Sequence, residues 1–158
     1  MFSIKDLMCA TGGVLSASGA LKRFSGISID TRTLIKGQAF VAIVGKNFDG
    51  HDFIIEAIGR GAKAVIYSDN SKVKTFQKGI TYIRVGETTQ TLGAIAHFHR
   101  KRFDIPVIAV TGSSGKTTTK EMIAWVLSAK YSVLKNAGTQ NNLIGVPLTL
   151  LKIRKMER

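Results

Sequence analysis

The residues best equipped for chemistry stand together in Thr111-Gly112-Ser113-Ser114-Gly115-Lys116-Thr117-Thr118. Two glycines allow a tight turn in which successive backbone N–H groups face one anionic point. Lys116, directly behind the second glycine, can reach the β- and γ-phosphates of a nucleotide, and the Thr117 hydroxyl can ligate Mg²⁺. Thr118 and Thr119 add hydroxyls at the same place. A turn that needs only backbone freedom calls for the glycines but not for Lys-Thr behind them. The long form of this pattern has its first glycine where this chain has Val110, so the loop is a short variant. ATP and Mg²⁺ are the expected ligands, with Lys116 as the group that offsets charge during phosphoryl transfer.

Such a loop works only between a buried strand and a helix. Val107-Ile108-Ala109-Val110 is an apolar run suited to the centre of a parallel sheet, and a helix is expected from about Lys116 to Ala129. Tyr131–Leu134 reads as the next strand, and Pro147 as the first residue of a helix through Leu151. Residues 105–158 are therefore expected to form the first half of a P-loop, Rossmann-like parallel-sheet ATPase domain.

Upstream, Ser3 can cap a short helix that Gly12-Gly13 stops. Strands are expected at Gly26–Asp30, Ala39–Val44, Ala64–Tyr67 and Thr81–Val85, with a helix from Asp52 to Gly59. Thr88 or Thr89 caps a longer helix carrying Leu92, Ile95, Ala96 and Phe103 on one stripe, and Pro106 ends it. The fold class is α/β: a small N-terminal α/β domain over residues 1–104, then the incomplete ATP-binding domain over 105–158.

Bulk properties narrow the function classes. Hydrophobic residues make up 44% and charged residues 21%, the balance of a globular protein. No apolar run approaches the roughly 18 residues of a membrane span, and Met1–Asp6 lacks the order of a signal peptide. Cys9 alone cannot form an internal disulfide and is read as a small core residue in a reducing cytoplasm. The net charge of +13 points to an anionic partner. No basic patch is interleaved with aromatics, so nucleic acid is not expected, and only Lys152–Arg158 is a dense cluster. His97 and His99 are read as solvated positions on a helix surface, since two residues apart they point in different directions.

Taken with its flanking residues, Val110–Thr118 resembles the ATP loop of the Mur ligases, which extend the muramoyl peptide of bacterial cell walls; folylpolyglutamate synthases carry a similar loop. Gly45-Lys46-Asn47-Phe48-Asp49-Gly50-His51-Asp52-Phe53, preceded by Ile29-Asp30-Thr31-Arg32, resembles the N-terminal domain that holds the uridine diphosphate end of the substrate in this family. Asn136–Leu150, with Asn141-Asn142 at its centre, resembles the branch that adds D-alanyl-D-alanine. The resemblance implies that Thr31, Arg32, Asn47, Phe48, Asp49, His51, Asn141 and Asn142 bind UDP-N-acetylmuramoyl-tripeptide. Arg32 offers a bidentate fork for phosphate. Asp49-Gly50 also fits a plain turn and His51-Asp52 a helix cap, while Asn141 and Asn142 can cap the Pro147 helix instead.

The implied reaction is ATP-dependent: the tripeptide carboxylate becomes an acyl phosphate, which D-alanyl-D-alanine then attacks. In the family a magnesium-binding glutamate, a carbamylated lysine and a third domain follow the region matched here. The chain is thus expected to be a monomeric N-terminal part, inactive alone, with a separately encoded C-terminal part as a possible partner. Its rivals are a non-catalytic UDP-sugar-binding module, a sibling ligase adding the third residue, another P-loop enzyme such as a kinase, and, on charge alone, a nucleic-acid binder.

Overall fold

Strand β1 (Phe2–Ser3) runs directly into helix α1 (Ile4–Thr11) in this computed structural model, which describes residues 1–68, 72–138 and 141–154. The Ser3 hydroxyl accepts from the Asp6 N–H at 3.0 Å and the Asp6 carboxylate accepts from the Ser3 N–H at 2.8 Å, so two helix-start donors are satisfied reciprocally. Gly12, at φ 60°, ends the helix with its N–H on the Met8 carbonyl. The helix buries Leu7. Cys9, about 200° further round the axis, is exposed rather than in the core, because only one face of this short helix is covered.

The chain then adds β2 (Val14–Ala17), β3 (Arg23–Phe24), β4 (Ile27–Ser28), β5 (Ala39–Val41), β6 (Ala64–Tyr67) and β7 (Thr81–Arg84). β1 pairs antiparallel with β3. The remaining strands form one sheet in the order β2-β7-β6-β5-β4, parallel except for the antiparallel edge strand β2. Every residue of β5 and β6 is buried, which is why both read as unbroken apolar runs. Phe40, Val65 and Tyr82 pack with Ile54 and Ala57 of helix α2 (Ile54–Gly59), and Tyr67 meets Tyr82 edge-on at 6.4 Å. Truncating Phe40 to alanine in such a core costs about 3–5 kcal/mol.

Helix α3 (Thr88–Arg100) starts where expected, but its cap is a different residue. Glu87 receives the N–H groups of Thr89 at 2.7 Å and Gln90 at 2.5 Å on its two carboxylate oxygens, while Thr88 is fully buried. The chain divides into two compact units, Met1–Ile95 and Ala96–Arg158, within this helix. His97 is exposed as expected. His99 is buried instead, its Nε2–H donating to the Ile153 carbonyl at 2.9 Å, and burial pushes its ring below the ordinary pKa while that carbonyl opposes the shift. The helix ends at Arg100, short of Phe103, where the Arg100 guanidinium donates to the carbonyls of Phe103 and Ile105, both at 2.6 Å, and so holds the chain in a turn ahead of Pro106.

The second unit holds α4 (Lys116–Ser128) and α5 (Gly145–Leu150). Pro147 lies in the first turn of α5 rather than at its first position, still where its missing N–H is harmless. The expected strands Val107–Val110 and Tyr131–Leu134 are not formed. Among the described residues no ladder hydrogen bond reaches either, and Val107 and Ile108 are 61% and 59% exposed. A parallel strand exists only through its neighbours, and the described residues place none beside these segments. The fold is α/β, with its mixed sheet in the first unit. Of the basic tail, Lys155–Arg158 lie outside the described residues.

Candidate functional site

Two groups of residues are candidates for the chemistry, one in each unit. In the second unit Gly112 and Gly115 adopt φ 149° and 76°, values that side chains disfavour, so the loop's course requires glycine at both. Gly115 caps α4, its carbonyl accepting from the Thr119 N–H at 2.9 Å. Thr111, Gly112, Ser113, Ser114, Thr117 and Thr118 are exposed around this helix start, where the positive end of the helix dipole favours an anion. Lys116 is folded back over the loop, its ammonium donating to the Gly112 carbonyl and, at 3.2 Å, to that of Ser113. The cation therefore already lies against the backbone that would share a phosphate with it.

One turn further along, Lys120 does something the sequence did not announce. Its ammonium donates to the carbonyls of Asn136 at 2.8 Å and Gly138 at 3.3 Å and pairs with Glu121 at 3.0 Å. Glu121 also holds Lys135, and these two lysines, Lys135 foremost, keep its carboxyl below the usual range. Asn142 takes the capping role: its Oδ1 accepts from the N–H groups of Ile144 at 3.1 Å and Gly145 at 2.7 Å, at the start of α5. Asn141 is exposed beside it. Thr139 and Gln140, in the same motif, lie outside the described residues.

In the first unit the named residues follow the C-terminal ends of neighbouring parallel strands, which is where ligands bind in α/β sheets. Thr31 and Arg32 form a helical turn after β4, with Thr31 buried. Arg32 is 83% exposed, and its guanidinium already grips Asp30, Nε to Oδ1 at 2.9 Å and Nη2 to Oδ2 at 2.7 Å. That ion pair, through the side-chain hydrogen bonds first, lowers the Asp30 carboxyl and raises Arg32.

After β5 the chain makes a hairpin closed by a Val44–Asp49 bridge, with Gly45 N–H on the Phe48 carbonyl at 2.9 Å. Asn47 and Phe48 form its exposed tip, Phe48 at 73%. Gly50 has no room for a side chain: a Cβ there would lie 2.6 Å from the Ile43 nitrogen. His51 is buried and both its ring nitrogens are engaged. Nε2 accepts from the Ser68 N–H at 3.0 Å, which requires the proton on Nδ1, and Nδ1 donates to Asp49 at 2.6 Å. Asp49 also accepts from Lys72 at 2.9 Å, and Lys72 reaches Asp52 at 2.7 Å. Burial pushes the Asp49 carboxyl up, but the His51 N–H, Lys72 and the His51 ring outweigh it and bring it down to about 2. Lys72 is raised to about 12 by Asp52 and Asp49. His51 therefore has no nitrogen left for a ligand, whereas Asn47 and Phe48 are open to one.

A sheet whose strand ends carry polar turns, and a glycine-rich loop that opens a helix behind a lysine and two threonines, together define a nucleotide-handling α/β protein. The pattern of the Mur ligase family, catalytic domain, matches residues 23–131, and that of the Mur ligase middle domain matches residues 110–158; the chain belongs to the Mur ligase family. Within the family its similarity is to MurF-type enzymes. The UDP-N-acetylmuramoyl-tripeptide--D-alanyl-D-alanine ligase of Synechocystis is 45% identical over 131 residues, covering 83% of this chain and 28% of its own length. The protein of the same name from Buchnera aphidicola (Acyrthosiphon pisum) is 36% identical over 153 residues, covering 97% of this chain and 32% of its own. The crystal structure of MurF from Acinetobacter baumannii superposes with a TM-score of 0.85 at 33% identity, over 97% of this chain and 33% of that one. The chain thus spans about a third of the length of these relatives. Among the described residues no helix is long and apolar enough to cross a membrane.

Proposed function

We propose that this chain supplies the UDP-substrate and ATP-phosphate sites of a cytoplasmic ligase joining D-alanyl-D-alanine to UDP-N-acetylmuramoyl-tripeptide. Residues 1–104 serve as the UDP-binding domain and residues 105–158 as part of the ATP-binding domain. The observation that carries the reading is the Lys116 ammonium seated on a loop whose two glycines have backbone angles that side chains disfavour. The names borne by relatives up to 45% identical give the reading its substrates.

Thr111–Thr118 fit a nucleotide's phosphates because the exposed loop presents backbone donors and a cation at a helix start. Mg²⁺ suits the Thr117 hydroxyl, with phosphate oxygens and water as its other ligands, and would neutralise charge there. A tripeptide carboxylate oxygen attacks the γ-phosphorus and the bond to ADP breaks, leaving an acyl phosphate. The dipeptide amine then attacks the acyl carbon, the C–O bond to phosphate breaks, and the amine gives up a proton. Lys116 holds the transferring phosphoryl group and its negative charge through the first step. On this reading Asn47 and Phe48, exposed at the hairpin tip of the first unit, read the uracil, and Arg32 the diphosphate, at the cost of its grip on Asp30. Thr31, Asp49 and His51 shape those turns from beneath, and Asn141 and Asn142 are the second unit's candidates for the muramoyl end.

Calorimetry with Mg·ADP and with UDP tests both sites on the whole chain. Saturable binding of each is expected, with phosphate release only once a relative's remaining two thirds is added. A chain that binds neither nucleotide at millimolar concentration overturns the reading.

A further inference from the structure

The phosphate loop and the asparagine motif are far apart in sequence, and one side chain joins them. Lys120 is 16% exposed and its three donor directions are spent on the Asn136 carbonyl, the Gly138 carbonyl and Glu121. Glu121 in turn holds Lys135, the residue before this stretch, so two adjacent residues of α4 grip three positions of one strap. A surface lysine making a single ion pair gains little and keeps its rotamer freedom. A lysine drawn down onto two backbone carbonyls gives up that freedom to hold a particular segment in place.

We infer that Lys120 is a positioning residue. It fastens Asn136–Gly138 to the helix that Lys116 begins, and thereby sets where Asn141 and Asn142 lie relative to the phosphate loop. Its ammonium is committed to carbonyls and contributes nothing directly to phosphate binding. The inference rests on the proposed function for its substrate arm only; the strap itself is a matter of local structure. Arginine keeps the charge and several donors, so it should retain much of the grip, whereas methionine keeps the stem and loses all of it.

The test compares the full chain with Lys120→Met and Lys120→Arg. The backbone heteronuclear NOE at Ala137 and Gly138 is expected to fall clearly in Lys120→Met and to stay near wild type in Lys120→Arg, because methionine releases the Asn136 and Gly138 carbonyls. The dissociation constant for UDP-N-acetylmuramoyl-tripeptide should rise about tenfold in Lys120→Met while that for Mg·ADP stays within about twofold. An unchanged NOE overturns the strap, and equal weakening of both ligands, or of neither, overturns the positioning role. A wild-type chain that binds Mg·ADP but not the UDP-linked peptide sinks the proposed substrate and this role with it, while the NOE still decides the strap.

Discussion

Asp49 Oδ1 accepts two hydrogen bonds from the same residue, the backbone N–H of His51 at 2.9 Å and its ring Nδ1–H at 2.6 Å. The opposite ring nitrogen takes the Ser68 N–H, so a single buried imidazole rivets the hairpin after β5 to the end of β6. The exposed tip at Asn47 and Phe48 is held from below by the buried His51 ring.

The depressed Asp49 carboxyl makes this rivet pH-dependent. Its folded value of about 2 lies below the ordinary 3.8, so its contribution is complete above about pH 4 and is lost as the pH falls toward 2. Asp49→Asn should lower stability at neutral pH by about 1–2 kcal/mol and flatten the acid limb. Urea midpoints at pH 7, 4 and 2.5 check this; parallel curves for the two proteins would refute it.

Lys116→Ala should weaken Mg·ATP roughly 10- to 150-fold, the value of a charge-assisted contact of about 1.5–3 kcal/mol. Calorimetry on the variant measures it. A loss below threefold would mean that the ammonium stays on Gly112 and Ser113 when nucleotide is bound.

Phe48→Ala should leave thermal stability within experimental scatter, because the ring is 73% exposed. If the tip reads uracil, UDP affinity should fall about 3- to 10-fold, as expected for one aromatic contact. An NMR titration with UDP separates the outcomes, and unaltered affinity would move the uracil site away from this hairpin.

Two neighbours at the start of α3 should respond in opposite directions. Glu87→Ala removes the cap and should cost about 1 kcal/mol. Thr88→Val replaces a buried hydroxyl that has no hydrogen-bond partner among the described residues with a methyl of the same shape, and should stabilise by up to about 1 kcal/mol. Both are read from thermal midpoints; a destabilised Thr88→Val would point to a buried water on that oxygen.

Local chemistry was legible in the sequence where a few adjacent residues decide the outcome. The Ser3 cap and the stop at Gly12 each act within a turn or two and are found where expected, and Gly112 and Gly115 adopt the glycine backbone angles of a tight turn. The buried strands β5 and β6 were legible because burial on both faces writes a continuous apolar run. The two-residue strands β1 and β3 carry no periodicity, so only their pairing defines them. Val107–Val110 shows the converse: its composition suits a strand, but a strand also needs partners that composition cannot supply. Lys120 was opaque for a related reason, since its acceptors are carbonyls 16 and 18 residues away and a carbonyl has no sequence signature. His51 and Lys72 were the same kind of case, the first read as a ligand residue and the second not read at all.

The placement of the aromatic rings divides the protein optically. Trp125, the sole tryptophan, sits on α4 at 79% exposure and emits from a nearly aqueous environment even in the native state. Tyr67 and Tyr82, at 1% exposure and in edge-on contact, lie in the heart of the sheet. Tryptophan emission will therefore change little while the first unit unfolds, and near-ultraviolet dichroism from the tyrosine pair is the signal that will follow the sheet. The same blindness turns useful for Trp125: a shift of its emission toward the blue would signal that something apolar has covered that face of α4.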